Sequence, residues 1–308
     1  MARLRLTAAF AAVYLIWGST FLALALGLQT IPPLLLMAAR SIAAGAILRG
    51  IEQARRPGFP PARAWGSAAV SGVLLFVGCH GTLAYAQQYV ASGLAAVMLA
   101  TVPFWIVLLN VFAPADRRAK MLTLAGLLPG LAGVALIAWP GDPRAMATGD
   151  PLMLLLLLLL GSAFFWAAGS LVSQRQPALT SAIALSGMQL VCGGAALLAG
   201  SGLSGELGRF APLDVSAISW AGLSYLIGAG SVIGFTAYMW LLDRVPGPLV
   251  ATYTFVNPVI AVILGWRFLG EQPTAQMLAG TVLVVGSVAA VWRLNSRASR
   301  RERAGLAD

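Results

Sequence analysis

Long apolar runs separated by short polar breaks dominate this chain. Ten segments stand out, at roughly 6–28, 32–50, 64–87, 91–112, 121–139, 152–174, 181–201, 217–240, 248–268 and 274–294. Most are long enough, at 1.5 Å per residue, to cross the roughly 30 Å hydrocarbon core of a bilayer as a helix. The runs are continuous, unlike the alternating ten-residue strands of a transmembrane barrel. Leu154 to Leu160 are all leucine, so that stretch offers no polar face at all. The pattern predicts an all-α polytopic membrane protein with ten transmembrane helices.

Composition agrees. Of 308 residues, 59% are hydrophobic and only 10% charged, against roughly 25% charged in an average soluble domain. A soluble fold of this size cannot hide so much apolar side chain. The net charge of +10 does not point to nucleic acid, because the basic residues fall in small groups between apolar runs. They sort by side instead. With a cytoplasmic N-terminus, one side collects Arg3, Arg5, Arg49, Arg55, Arg56, Arg63, Arg117, Arg118, Lys120, Arg175, Arg244, Arg293, Arg297, Arg300, Arg301 and Arg303; the other holds Arg144, Arg209 and Arg267. That asymmetry predicts both termini inside. Arg3 and Arg5 before an apolar run resemble a signal peptide. The run continues to about Leu28, so we read it as the first span. Cys79 and Cys192 lie in separate apolar runs and are read as packed side chains.

The chain repeats itself. Gly81-Thr-Leu-Ala-Tyr85 aligns with Gly234-Phe-Thr-Ala-Tyr238, Pro103 with Pro258, Leu124-Ala-Gly126 with Leu278-Ala-Gly280, Trp139 with Trp292, and more loosely Trp17-Gly-Ser19 with Trp166 to Ser170. Two five-helix units follow, 1–140 and 150–295, then a basic cytoplasmic tail, 296–308. Five is odd, so the second unit enters the membrane from the opposite side. Inverted repeats are the usual means by which secondary transporters obtain two mirror-related states around a midplane site. Pro103 and Pro258 lie mid-helix at equivalent positions. Each removes an N–H, so the carbonyls of Leu99 and Thr254 lose helical partners, and such groups need an internal partner or a wet cavity.

The residues Trp17-Gly-Ser-Thr-Phe21, Ala39-Arg40, Ala84-Tyr85, Pro103, Asn257-Pro258, and Leu269-Gly-Glu271 with Gly280 and Gly286, in this order and duplicated, resemble the EamA-type drug/metabolite transporter superfamily over nearly the whole chain. The resemblance implies a ten-helix fold of two inverted repeats that exports small metabolites, often amino acids or derivatives, from bacterial cytoplasm through the inner membrane. The first repeat departs from it, with Ala115-Asp-Arg117 where the family often shows a motif like Gly270-Glu271.

Few ionisable residues fall inside the spans, and such residues are costly in lipid. Arg40 could bind an anionic group or brace the bundle, and we assign it, with Pro103, Pro258 and Glu271, a structural or gating role. The candidate substrate-binding residues are Trp17, His80, Tyr85, Gln87, Met98, Trp105, Trp166, Tyr238, Tyr253 and Asn257. These are mostly aromatic, with a few polar groups to orient a solute. With no P-loop motif, and one histidine where HExxH needs two, no nucleotide, cofactor or metal is called for. The expected function is alternating-access export of a small organic metabolite, of the amino-acid class. Alternatives are a drug or other-metabolite exporter of the same fold or, from another class, an intramembrane lipid-modifying enzyme. Expected partners are the small-molecule substrate and membrane lipids, with no nucleic acid. Gly126 and Gly130 form a GxxxG that would suit a homodimer or close packing within the bundle.

Overall fold

The computed structural model describes residues 2–109, 125–126, 128–133, 135–136, 151–175, 180–245, 250 and 253–305. They form helices α1 (Ala2–Gly27), α2 (Pro33–Arg55), α3 (Ala62–Ala86), α4 (Ser92–Leu109), α5 (the helical residues between 125 and 136), α6 (Pro151–Arg175), α7 (Ala182–Leu203), α8 (Ala217–Leu242), α9 (Tyr253–Leu269) and α10 (Ala275–Gly305). No strand occurs among the described residues. Seven of these helices are long and apolar enough to cross a membrane, and Val256–Leu269 and Ala275–Ser287 add two shorter apolar stretches. The chain is a multi-pass membrane protein. Most of the predicted fifth segment, including Trp139, lies outside the described residues, as does Ala115-Asp-Arg117. The basic tail continues α10 without a break as far as Gly305.

Packing pairs the two halves of the chain. α1 lies against α8 and α9, while α6 lies against α3 and α4; α2 pairs with α7, and α4 with α9. The α2–α7 contact is intimate because it is made by glycines. A Cβ on Gly45 would meet the Val191 side chain at 2.8 Å, and one on Gly194 would meet Ile42 at 2.8 Å. Small residues allow such backbone approach in a bilayer, where van der Waals packing replaces the hydrophobic drive. Residue 42 therefore faces 194 while Arg49 faces Gly187, so α2 and α7 run antiparallel. The leucine run from 154 to 160 divides by face: Leu156 and Leu159 are buried in the bundle, and Leu154 and Leu157 are exposed on its perimeter. Both surfaces are apolar because one meets protein and the other meets lipid.

Two features were not legible as periodicity. α3 switches to π-helical hydrogen bonding over Val73–Gly81, and α8 does so over Leu226–Phe235. The two stretches occupy matching positions of the repeat, since Gly81 aligns with Gly234. A π turn frees carbonyls and re-aims side chains, which is why such turns gather at functional sites. At Pro103, α4 breaks into Ser92–Leu99 and Val102–Leu109. The Thr101 hydroxyl closes the break by donating to the Met98 carbonyl at 2.8 Å, and the chain restarts with Phe104 N–H donating to Thr101 O at 2.9 Å. Pro258 stays inside an unbroken α9.

Candidate functional site: a central cavity over an aromatic floor

The breaks and π turns converge on one place. At the centre of the bundle lies a partly open cavity. Its wall comes from α1 (Trp17, Thr20, Phe21, Leu24), α2 (Arg40), α3 (Cys79, His80, Leu83), α4 (Ala96, Leu99, Ala100, Val102), α6 (Trp166) and α9 (Tyr253, Thr254, Asn257). The four α1 residues follow i, i+3, i+4, i+7 spacing, one helix face, and span about 10 Å of axis at 1.5 Å per residue.

At its deep end four rings pack in edge-to-face and tilted contacts. Trp17 lies 5.3 Å from Trp166, 4.9 Å from Tyr238 and 5.0 Å from Tyr253, centroid to centroid. Such tilted contacts suit the ring quadrupoles. Two of the polar edges are tied as well. The Trp17 indole N–H donates to the Gly230 carbonyl at 3.1 Å, a group within the π segment of α8. Gly234 makes room for that indole, since a Cβ there would lie 2.6 Å from Trp17 Nε1. The Tyr238 hydroxyl and Ser170 hydroxyl share a hydrogen bond of 2.8 Å. His80 stacks on Trp166 at 5.4 Å and meets the Phe76 edge at 5.2 Å, and its Nδ1 has no hydrogen-bond partner.

Of the candidate binding residues, Trp17, His80, Trp166, Tyr253 and Asn257 line the cavity. Asn257, with its amide set to satisfy its neighbours, donates to the carbonyls of Tyr253 at 3.2 Å and Tyr14 at 3.1 Å. Tyr238 lies behind the lining as part of the floor. The other four are elsewhere. Tyr85 is 47% exposed and packs on Tyr89. Gln87 spends its amide N–H on the Phe21 carbonyl at 2.6 Å, tying the end of α3 to α1. Met98 is fully buried in the helix packing. Trp105 meets Phe104 and Phe164. Tyr85, Gln87 and Trp105 lie beyond the last cavity residue of their helices, while Met98 falls between the lining residues Ala96 and Leu99 without lining the cavity itself. Two lining residues had a readable signal: Thr20 is one turn from Trp17, and Cys79 precedes His80. The small residues Ala96 and Ala100 had none.

Arg40 lines the cavity and is only 6% exposed. Its Nε donates to the Ser231 hydroxyl of the α8 π segment at 2.8 Å, and one terminal nitrogen approaches the Met37 sulfur at 3.8 Å. Glu271 is a fastening. Gly270 takes a left-handed φ of 67° that ends α9. The Glu271 carboxylate then accepts from Ser92 N–H at 2.6 Å, the Ser92 hydroxyl at 3.0 Å and Gly93 N–H at 3.3 Å. It thus caps the start of α4. A second cap escaped the sequence reading: Glu206, after α7, accepts from Leu35 N–H of α2 at 3.0 Å and from the Ser201 hydroxyl at 3.2 Å. Its signal was present, because Gly205-Glu206 repeats the dipeptide Gly270-Glu271.

Comparison with known proteins places this architecture. A crystal structure matches with a TM-score of 0.66 over 93% of this chain and 96% of its own, at 22% identity, which is a likeness of fold. The "Uncharacterized inner membrane transporter YedA" of Escherichia coli (strain K12) is 33% identical over 270 residues, 87% of this chain and 84% of that protein. The "Probable amino-acid metabolite efflux pump" of Salmonella typhimurium (strain LT2) is 25% identical over 287 residues, 90% and 91% of the two chains. Protein PecM of Dickeya dadantii (strain 3937) is 25% identical over 292 residues. The model of the EamA-like transporter family matches twice, over residues 6–139 and 153–293, one match per repeat, and this chain belongs to that family.

Proposed function

We propose that this transporter exports a small organic metabolite of the amino-acid or amino-acid-derivative class across the bacterial inner membrane by alternating access. Ten spanning helices form two inverted five-helix repeats, and both termini face the cytoplasm. One observation carries the reading: the central cavity is walled by both repeats and bordered by their matching π segments, with the α4 break beside them. The antiparallel course of α2 and α7 supports inversion, and so does the cap that joins the start of α4 to the end of α9. The inner membrane and the amino-acid class are carried over from the named relatives. The lining runs from the aromatic floor toward the end of the bundle that bears the turns after α1 and α3. With both termini inside, that is the outer face, and the floor closes the inner one. Alternating access then requires the Trp17, Trp166, Tyr238 and Tyr253 rings to part when the outer mouth of the cavity closes.

The test is efflux from proteoliposomes loaded with mixed amino acids and their N-acyl and oxo-acid derivatives, read by mass spectrometry with and without a pH gradient. Selective, saturable loss of one class that is abolished in Trp166→Ala supports the reading. Uniform leakage at the rate of empty liposomes overturns it.

A further inference from the structure

The cavity holds an unbalanced charge. Arg40 is the one permanently charged side chain in its described lining, and no aspartate or glutamate lines it. The described carboxylates are engaged or remote. Glu206 and Glu271 cap helices, Asp243 faces Arg244 at 3.6 Å, Asp214 is in the turn before α8, Glu302 is near the end of α10, and Glu52 is twelve residues further along α2, about 18 Å of helix axis away. Arg40 spends its Nε on Ser231 and otherwise meets a thioether, which is a weak acceptor. The remaining guanidinium N–H groups lie beside Gly230, where an added Cβ would come within 3.3 Å of a terminal nitrogen. A buried cation left in this condition is costly unless an anion meets it, and a guanidinium fork fits a carboxylate in two parallel hydrogen bonds.

The opposite charge finds no such welcome. An ammonium group would meet no carboxylate, only neutral groups such as the Thr20, Tyr253, Thr254 and Asn257 oxygens. Three of the lining rings, Trp17, Trp166 and Tyr253, are packed against one another in the floor, where their faces are less open to a cation. Arg40 would repel it through a low-dielectric interior. We propose, resting on the transporter reading above, that the favoured substrates are net-anionic carboxylates bearing an apolar or aromatic group. These are organic acids or amino-acid derivatives whose amino group is absent or acylated. The carboxylate docks on Arg40 and the apolar part lies on the aromatic floor. Free zwitterionic amino acids are the poorer class.

A charge ladder built on one phenyl group tests this: N-acetylphenylalanine (anionic), phenylalanine (zwitterionic), N-acetylphenylalanine amide (neutral) and phenethylamine (cationic). Each is assayed as a load for efflux and as a ligand that raises the thermal stability of the purified full chain. We expect N-acetylphenylalanine to half-saturate at a concentration about tenfold or more below its neutral amide, the ratio that one charge-assisted hydrogen-bonded contact supplies, phenylalanine to be weaker than N-acetylphenylalanine because its ammonium group must be desolvated beside Arg40, and phenethylamine to be inert. Arg40→Gln should weaken the anion to the level of the neutral amide while the amide itself is unchanged; Arg40→Lys should keep part of the preference. A bracing role alone would lower stability in Arg40→Gln and leave the anion-to-amide ratio where it was, which overturns the proposal. Phenylalanine equal to or better than its N-acetyl form in the wild type also overturns it, even if Arg40→Gln fails to fold. Transport of the ladder without charge preference removes this inference and leaves the transporter reading intact. No transport and no stabilisation by any member removes both.

Discussion

Removing the Glu271 carboxylate should loosen the bundle at the start of α4, and the size of the effect can be worked from the geometry. In Glu271→Ala, Ser92 and Gly93 lose the acceptor of two backbone N–H groups, bonded at 2.6 and 3.3 Å, and the Ser92 hydroxyl loses its partner at 3.0 Å. A helix cap is worth about 0.5–2 kcal/mol, and hydrogen bonds to a charged acceptor about 1.5–3 kcal/mol each. The 3.3 Å bond is long, and water can reach part of the site. The expected total is therefore about 2–3 kcal/mol for Glu271→Ala and about 1 kcal/mol for Glu271→Gln, which keeps one oxygen but not the charge. Membrane proteins often unfold irreversibly, so the proper readout is the apparent melting temperature in one detergent at one scan rate. The order should be wild type, then Glu271→Gln, then Glu271→Ala. Ser92→Ala should be milder and should couple to Glu271→Ala, because the hydroxyl has nothing to bond once the carboxylate is gone. Losses that add fully, or a Glu271→Ala protein that melts with the wild type, would refute the cap.

Gly234→Ala places a methyl group 2.6 Å from the Trp17 indole nitrogen and should cost about 1–3 kcal/mol by overpacking, with a shift in tryptophan emission that Gly228→Ala, which meets nothing within 4 Å, does not produce. Trp17→Phe keeps the ring but strands the Gly230 carbonyl bonded at 3.1 Å; a loss of about 1–3 kcal/mol is expected, measured by the same melt. Gln189→Leu breaks donations of 2.8 Å to Ser71 and 2.7 Å to Ser173. Each hydroxyl keeps a bond to its own helix carbonyl, so the loss should be only about 1 kcal/mol, with the half-saturating substrate concentration unchanged. The proposed topology predicts that Phe59→Cys and Leu213→Cys, at sites 88% and 99% exposed, react with an impermeant maleimide from opposite sides of the membrane in a background lacking Cys79 and Cys192; labelling from the same side refutes it.

The sequence by itself determined the class of molecule, most span boundaries, the repeat and the family. Those properties are carried by composition and run length, and neither depends on which residue touches which. It also picked out half of the candidate binding residues as cavity lining. Trp17, His80, Trp166, Tyr253 and Asn257 are large or polar groups in apolar runs, and the cost of placing a polar edge in lipid turns such groups inward. Periodicity could not separate Met98 or Trp105 from that set, because a helix packed on all sides shows no face to read. Tyr85 and Gln87 continue beyond the cavity along a helix whose phase is altered by nine π-bonded residues, Val73–Gly81. Only the tertiary structure decided that slip, since it arises where α3 meets α6 and α7. Tertiary structure also decided the role of Glu271. A carboxylate at a helix end reads as a rim charge until α4 is found to begin beside it. The same holds for Arg40, whose position in one helix was plain from its neighbours in sequence. That it faces a cavity with no carboxylate in the described wall is a property of six helices together.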